Sequence, residues 1–376
     1  MIIGIVGTST WNKGAELMQV AIGEHMRVWE DVHLAVPGGF GSFDERAQYG
    51  LRYLLPPLRV GRARLGMYLL PDALRKAFGV VREDEVDAVL DASGFAFGDQ
   101  HPLERTVRFA EDVERWRAQG KPVVLLPQAL GPFEQPEMRA AFIRVLRAAT
   151  LVYARDRISF DHAKSAWPEV PNLRLAPDFT NLVKPLPPEE TGALNRACIV
   201  PNQRMIEKAA TPEQAAAYAP LMAQAVQAVE AHGVEPVLLV HGAHDAPVVE
   251  AVQAHVGRTL PVIKETDPVR IKAELGRSRL VIASRFHALV SALTQGVPAI
   301  ATSWSHKYEM LFEDYGCPEL VLSVSATEEQ VRAAVERTLG SGRLEIERVL
   351  EERGTIVRES VERMWQEVDE ALELAG

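Results

Sequence analysis

The chain has 376 residues and a formal net charge of −10, from 41 lysines and arginines against 51 aspartates and glutamates. Hydrophobic residues make up 47% and charged residues 24%, the balance of a folded, water-soluble protein, and the length predicts two domains rather than one core. The acidic balance argues against nucleic acid as a partner, so an anion site has to be built locally from a few basic residues.

The first half of the chain predicts an α/β domain in which short apolar strands alternate with helices. The predicted strands are 2–6, 32–36, 88–92, 123–126, 151–153 and 173–175. This alternation predicts a parallel sheet with helices on both faces, and ligands bind such sheets beyond the carboxyl ends of the strands. Polar residues follow several of these strands: Asn12, Glu16, Asp99 and Gln128.

Residues 51–78 combine basic and apolar side chains in an otherwise acidic protein. Against one acidic residue, Asp72, the basic residues are Arg52, Arg59, Arg62, Arg64, Arg75 and Lys76. One interpretation is peripheral contact with a membrane surface or with a lipid-linked substrate. The alternative is a solvated face that covers core leucines.

A second α/β domain is predicted after a break in the pattern. Residues 183–195 contain three prolines and little periodicity, so we interpret them as a linker between a first domain, 1–182, and a second, 196–342. Residues 343–376 predict a long amphipathic helix that crosses back onto the first domain or, alternatively, mediates dimerisation. The oligomeric state stays open. The predicted strands of the second domain are 198–200, 236–240, 261–264, 280–283, 298–302 and 320–323.

Basic residues are concentrated between 278 and 312. Arg285 and His287 follow one predicted strand, Lys307 follows the next, and a helix is predicted over 288–294. Because parallel strands end at one edge of a sheet, these side chains suit an anionic substrate that must also receive a proton. Arg204 follows the first strand of the same domain.

No metal site, disulfide or leader segment is predicted. His241, His244 and Asp245 form a loose cluster on one loop, without further ligands. Cys198 and Cys317 lie far apart in apolar surroundings, which favours buried free thiols. The start of the chain lacks a signal peptide, and no apolar run reaches the roughly 18 residues of a membrane span. We therefore expect a cytoplasmic protein, with the inner face of the membrane as an alternative.

Several segments together resemble the polysaccharide pyruvyl transferase family, across nearly the whole chain. They are 12–16 (NKGAE), 94–99 (GFAFGD), 126–133 (LPQALGPF), 154–159 (ARDRIS), 176–178 (APD), and R-F-H-A, G-V-P and a lysine within 285–307. The resemblance implies two Rossmann-like domains facing across a cleft, similar to the GT-B glycosyltransferases, with the donor on the second domain and the acceptor on the first. The chain departs from the family pattern at Ala15, where aspartate is frequent, and at 91–94, where a run of glycines is frequent.

The reaction implied by the resemblance moves the pyruvyl group of phosphoenolpyruvate onto two hydroxyls of a sugar as a cyclic ketal, for cell-surface polysaccharide synthesis. His287 would be the general acid. The residues that would bind the donor are Arg285, Arg204 and Lys307. The residues that would bind the acceptor are Asn12, Glu16, Asp99 and Gln128. The acceptor is a saccharide, and one alternative is that it is linked to a lipid.

No cofactor is expected besides phosphoenolpyruvate, which is a substrate. The enzymatic alternative is a GT-B-type glycosyltransferase or sugar-nucleotide epimerase, which would share the architecture and an arginine at a strand end. The remaining alternative is a carbohydrate-binding protein without catalysis. Because a fold alone requires neither Arg285 nor His287 at its position, their presence in one segment argues against this non-catalytic alternative.

Overall fold

The protein is described by a computed structural model that covers residues 1–55, 71–186, 194–303 and 305–374. These residues belong to two compact units, Met1–Phe179 with Val361–Gly376, and Thr180–Ser360. The boundary at Phe179 lies three residues before the predicted end of the first domain. The predicted linker, 183–195, falls inside the second unit, and its middle part, 187–193, lies outside the described residues.

The first unit contains a wide parallel sheet. Its described strands are β1 (Ile2–Val6), β2 (His33–Pro37), β3 (Arg52–Leu55), β4 (Val80–Arg82), β5 (Ala88–Asp91), β6 (Phe95–Phe97), β7 (Val123–Leu130), β8 (Leu151–Ala154) and β9 (Leu173–Leu175). Their order is β4-β3-β2-β1-β5-β7-β8-β9, and β6 pairs with β7. All pairings are parallel, and Val6 is in register with Asp91, so β1 and β5 end side by side.

Helices cover this sheet, and polar side chains define where several of them begin. The described helices are α1 (Lys13–Met26), α2 (Phe43–Gln48), α3 (Asp72–Ala77), α4 (Leu103–Ala118), α5 (Pro136–Ala148) and α6 (Arg157–Ala166). Asn12 caps α1 by accepting the N–H of Gly14, and Asp156 caps α6 by accepting that of Ser159. Phe142 from α5 is fully buried in the core between helices and sheet.

Within residues 51–78, Arg75 does not fit the interpretation as a cationic surface, and contact of this segment with a membrane stays a prediction. The segment begins with β3 and ends with α3, neither of which was predicted. Arg75 is buried, with ion pairs to Asp72 (3.0 Å) and to Glu85, so it does not contribute to a basic surface. Residues 56–70, which carry Arg59, Arg62 and Arg64, lie outside the described residues.

The second unit contains a smaller parallel sheet with the order β12-β11-β10-β13-β14-β15. Its strands are β10 (Arg196–Val200), β11 (Glu235–Leu239), β12 (Val262–Ile263), β13 (Leu280–Ala283), β14 (Ala299–Ser303) and β15 (Val321–Ser323). Its central strands β10 and β13 are apolar apart from Arg196 at the start of β10, because helices cover both of their faces. The sequence predicted all six strands, although β12 and β15 are shorter than expected.

Eight helices of the described residues begin in the second unit. They are α7 (Arg204–Glu207), α8 (Pro212–Ala231), α9 (Ala246–Val256), α10 (Pro268–Gly276), α11 (Phe286–Leu293), α12 (His306–Asp314), α13 (Glu328–Leu339) and α14 (Arg343–Ala371). α11 starts two residues before the predicted start at 288. As a result Arg285 is the N-cap residue of α11, and His287 lies in its first turn.

α14 contributes to both units. Ile346 and Leu350, near its start, are buried in the core of the second unit. In the first unit, Trp365 stacks on His25 with ring centres 4.1 Å apart, and His25 Nε2 lies 2.8 Å from Asp369 Oδ1. Across the four described ranges, no helix combines the length and the apolarity needed to cross a membrane.

Candidate functional site

Four adjacent strands of the second unit end beside the residues predicted to bind the donor. In the sheet these strands are β11, β10, β13 and β14. Asp245 follows β11, Arg204 follows β10, Arg285 and His287 follow β13, and Lys307 follows β14. Because all four strands are parallel, their carboxyl ends lie at one edge of the sheet.

Arg285 is oriented by a buried carboxylate. Its Nε donates to Asp245 Oδ2 (2.9 Å), and its Nη2 donates to Asp245 Oδ1. Asp245 is 0% exposed and also accepts the backbone N–H groups of Gln203 (3.0 Å) and Gly242 (3.1 Å). Within the described ranges, Arg285 Nη1 has no hydrogen-bond partner, so it can still contact an anion.

His287 and Lys307 approach the same aromatic ring. The imidazole of His287 is half-buried and meets Phe286 edge to face, with ring centres 5.5 Å apart. Lys307 Nζ lies 5.8 Å from the centre of the Phe286 ring and 5.4 Å from that of Tyr308. His287 and Lys307 belong to the first turns of α11 and α12, where the helix dipoles add positive potential. The arrangement suits a bound anion.

A buried hydrogen-bond network fixes the backbone immediately before Arg285. The carbonyl of Ser284 accepts from the amide of Asn202 (2.8 Å) and the hydroxyl of Tyr308 (2.9 Å). The hydroxyl of Ser284 is hydrogen-bonded to those of Tyr218 and Thr302. Burial raises the pKa of Tyr218 to about 12, so its hydroxyl stays neutral. The strand ends that carry the site are therefore joined to one another by side chains.

Arg204 lies on the surface next to this network. Its guanidinium is 56% exposed, and its Nε is 3.7 Å from Glu207, a weak surface pair. Its backbone N–H donates to the side chain of Asn202 (3.0 Å). The backbone at Arg204 is thus held by the network, while its side chain extends into solvent.

Asp245 has a different role from the one its sequence context suggested. It belonged to the loose cluster with His241 and His244, but its carboxylate is the partner of Arg285. Across the described ranges, no three His, Cys, Asp or Glu side chains are grouped so that they could hold a metal ion. The sequence signal available for Asp245 was its place directly after a strand of the same sheet.

The two cysteines are buried free thiols, as predicted. Burial raises the pKa of Cys198 and of Cys317 to about 12. Neither is therefore a nucleophile at neutral pH.

Asn12 and Glu16, predicted to bind the acceptor, lie together at the start of α1. Glu16 is buried and accepts from the hydroxyl of Tyr49 (2.7 Å) and from Lys13 Nζ (2.5 Å). Asn12 caps the helix. The neighbouring Trp11, which sequence analysis did not single out, is 62% exposed and offers an aromatic surface beside them.

Asp99 and Gln128, the other two predicted acceptor residues, form hydrogen bonds within the protein. The carboxylate of Asp99 accepts the backbone N–H groups of Glu134 (2.7 Å) and Gln135 (3.4 Å), just before α5. Gln128 is 0% exposed and donates to Asp91 Oδ2 (2.7 Å). Contact of either residue with an acceptor stays a prediction.

The sequence model of one protein family matches most of the chain. It is the model for polysaccharide pyruvyl transferase, and it matches residues 33–306. The chain belongs to the polysaccharide pyruvyl transferase family. The matched region contains Arg204, Asp245, Arg285 and His287, and it ends one residue before Lys307. A search of curated proteins by sequence gave no significant match.

Solved structures show that this member of the pyruvyl transferase family has a GT-B-like fold. UDP-GlcNAc 2-epimerase from Neisseria meningitidis, bound to UDP-GlcNAc, aligns with a TM-score of 0.60 at 9% identity, over 97% of this chain and 99% of that one. HepE from Anabaena, in complex with UDP and glucose, aligns with a TM-score of 0.60 at 13% identity, over 99% of both chains. At these identities the similarity concerns the fold and not the substrate.

Proposed function

We propose that the protein transfers the pyruvyl group of phosphoenolpyruvate to two hydroxyls of a saccharide, forming a cyclic ketal for cell-surface polysaccharide synthesis. The observation that carries the proposal is the pairing of Arg285, aimed by the buried Asp245, with His287 in the first turn of α11. A cation and an acid–base group held this close suit a substrate that is both anionic and in need of a proton.

The donor would be bound by its two anionic groups. Arg285 contacts one of them through Nη1, and Arg204 extends toward the other from the end of β10. Lys307, with the N-terminal ends of α11 and α12, neutralises the phosphate as it leaves. No cofactor or metal ion enters this scheme.

His287 would begin the reaction as general acid. It gives a proton to C3 of phosphoenolpyruvate, which makes C2 an electrophile that the first sugar hydroxyl attacks. The proton of that hydroxyl then restores the protonated form of His287. The C–O bond between C2 and the phosphate then breaks, and the second hydroxyl forms the other C–O bond of the ketal. Its proton leaves with inorganic phosphate. A positioned general acid contributes roughly 10² to 10⁴-fold to the rate of such a step.

We propose that Asn12, Glu16, Asp99 and Gln128 bind the acceptor. One form of the acceptor is a lipid-linked saccharide. We propose the cytoplasm as the location of the reaction. The exposed Trp11 supports this assignment of the first unit, because aromatic surfaces pack against the apolar faces of sugar rings. Direct contact of Glu16 with a sugar requires that its hydroxyls compete with Lys13 and Tyr49, and contact through Asn12 Oδ1 requires competition with the N–H of Gly14.

The decisive experiment measures the thermal unfolding midpoint with and without phosphoenolpyruvate. A ligand at a hundred times its dissociation constant stabilises the native state by about 2.7 kcal/mol, which raises the midpoint measurably. We expect the wild type and His287→Ala to respond, Arg285→Ala to respond much less, and the exposed control Arg270→Ala to respond as the wild type does. His287→Ala should then bind the donor without turning it over.

The similarity to UDP-GlcNAc 2-epimerases supports one other function, a sugar-nucleotide epimerase or a glycosyltransferase. UDP-GlcNAc in the same experiment separates the two. If UDP-GlcNAc raises the midpoint of the wild type and phosphoenolpyruvate does not, the pyruvyl transfer is refuted and the nucleotide-sugar function takes its place.

A further inference from the structure

A pocket in the first unit is lined by residues to which the proposed reaction assigns no role. It has a volume of roughly 410 Å³ and lies where β1 and β5 end beside α4. Its lining combines a hydroxyl, an aromatic ring and charged groups: Asp91, Ser93, Phe109, Glu104, Arg105 and Arg108. Asn12, Glu16, Asp99 and Gln128 are not among the residues that line it. The pocket is therefore distinct from the site at Asn12 and Glu16, while Gln128 contacts its lining through a hydrogen bond to Asp91.

The base of the pocket presents a serine hydroxyl with a fixed orientation. Ser93 Oγ donates to Asp91 Oδ1 (2.5 Å), and Gln128 Nε2 donates to Asp91 Oδ2 (2.7 Å). Asp91 is 0% exposed, and burial raises the pKa of its carboxyl. Because the hydroxyl proton of Ser93 is directed at Asp91, the oxygen of Ser93 is left to accept a hydrogen bond from a ligand in the pocket.

Gly7 makes this arrangement possible. Its φ of +88° lies in the left-handed region that favours glycine. A Cβ at this position would overlap Ser93 Oγ and would lie 2.5 Å from the backbone nitrogen of Ser93. The close approach of the two chain segments at the ends of β1 and β5 therefore requires glycine at this position.

The rim of the pocket carries two exposed arginines, one of which, Arg105, is near enough to Asp91 to favour its ionised form. Arg105 and Arg108 are three residues apart on α4, so they lie on the same face of the helix. Both are exposed, and within the described ranges neither guanidinium has a hydrogen bond or an ion pair. Asp112, also in the lining, is paired with Arg115 (2.8 Å). Glu104 is a further carboxylate in the lining.

We propose that this pocket binds an anionic saccharide, with its phosphate or carboxylate on Arg105 and Arg108 and a ring hydroxyl donating to Ser93. Phe109, whose ring centre lies 5.0 Å from that of Phe97, offers an apolar wall for the sugar ring. Two guanidinium groups on one helix face are suited to an oxyanion, whether phosphate or carboxylate. The choice of a saccharide as the ligand rests on the proposed function.

Calorimetric titration tests the pocket with sugars that carry a phosphate, a carboxylate or no anionic group. The probes are the gluco, galacto and manno forms of hexose 1-phosphates and hexuronic acids, with the neutral hexoses for comparison. We expect Arg105→Ala/Arg108→Ala to weaken binding of the anionic sugars by at least about tenfold, because it removes charge-assisted hydrogen bonds. The matched control, Arg27→Ala/Arg147→Ala, removes two exposed arginines elsewhere in the unit and should bind as the wild type does.

The outcomes distinguish a failure of the pocket proposal from a failure of the proposed reaction. Wild-type binding of the phosphates but not the uronic acids, or the reverse, identifies the anion. The inference is overturned if no anionic sugar binds the wild type at millimolar concentration, or if both double variants bind equally well. Phosphoenolpyruvate is titrated in parallel: reduced affinity in Arg105→Ala/Arg108→Ala would place the donor in this pocket and overturn the inference. Failure of the wild type to bind phosphoenolpyruvate refutes the pyruvyl transfer alone.

Discussion

The carboxylate of Asp245 receives two hydrogen bonds from Arg285, although 40 residues separate them in the sequence. Asp245 follows β11 and Arg285 follows β13, and the buried carboxylate also accepts two backbone N–H groups. The contact has two opposing effects on a bound anion. Asp245 fixes the direction of the guanidinium, and it offsets part of its positive charge.

Asp245→Asn measures which of these effects is larger. The amide retains one acceptor oxygen and turns a donor toward the guanidinium, so we expect the orientation of Arg285 to be lost. Affinity for phosphoenolpyruvate should fall about tenfold, and stability by about 1–3 kcal/mol, because a buried charged hydrogen-bond network is broken. Equilibrium titration and denaturant unfolding measure the two quantities. A gain in affinity would show that Asp245 acts mainly by weakening the charge of Arg285.

As pH rises, the Asp91→Asn variant should gain stability relative to the wild type. The pKa of Asp91 is raised above its ordinary value of 3.8, first because of burial. Below pH 3.8 the folded and unfolded chains both hold the proton. Above it, the unfolded chain ionises first, so the wild type loses stability until the folded carboxyl ionises as well. An amide does not titrate, and rotation of the Gln128 amide lets it hydrogen-bond to the new side chain.

To test this expectation, the thermal unfolding midpoints of Asp91→Asn and of the wild type are compared from about pH 4 to about pH 7. The difference between variant and wild type should shift in favour of the variant across this range. The exposed residue Asp44 supplies the control, Asp44→Asn, for which we expect no such trend. A difference that does not change with pH would mean that Asp91 titrates like an aspartate in water.

Trp365→Ala should destabilise the first unit strongly. Trp365 is 2% exposed and contacts His25 by stacking and Phe179 edge to face. Truncation of a buried tryptophan typically costs about 3–5 kcal/mol, since it removes packing and leaves a cavity. Ile356→Ala is the control on the same helix, because Ile356 is 48% exposed and should cost below about 1 kcal/mol. Similar losses for both variants in denaturant unfolding would contradict the packing of this helix end.

The sequence was informative about the strands of the second unit and about which residues follow them. Short apolar runs between helices predict buried parallel strands, and parallel strands end at one edge, so the grouping of Arg285 and Lys307 at that edge could be foreseen. The strands β3, β4 and β6 were missed, because β3 and β4 each include an arginine at one end and β6 follows β5 after only three residues. The start of α11 was missed because no capping side chain marks it.

Contacts between distant residues were beyond the reach of the sequence. A polar residue after a strand looks the same whether it faces a ligand, a helix N-terminus or a buried partner. Asp99 contacts backbone N–H groups near α5, and Gln128 contacts Asp91, yet both follow the pattern of ligand-binding residues. Asp245 is the opposite case, since its partner Arg285 is defined only by the adjacency of β11, β10 and β13 in the folded sheet.

The membership of α14 in both units has a consequence for synthesis on the ribosome. The second unit is one uninterrupted segment, Thr180–Ser360, whereas the first is assembled from Met1–Phe179 and Val361–Gly376. Trp365 and Asp369 reach His25 only after more than three hundred further residues have been translated. The unit that is translated first is therefore the last to be completed, and until then the surface that Trp365 covers on His25 and Phe179 stays open to chaperones and to other nascent chains.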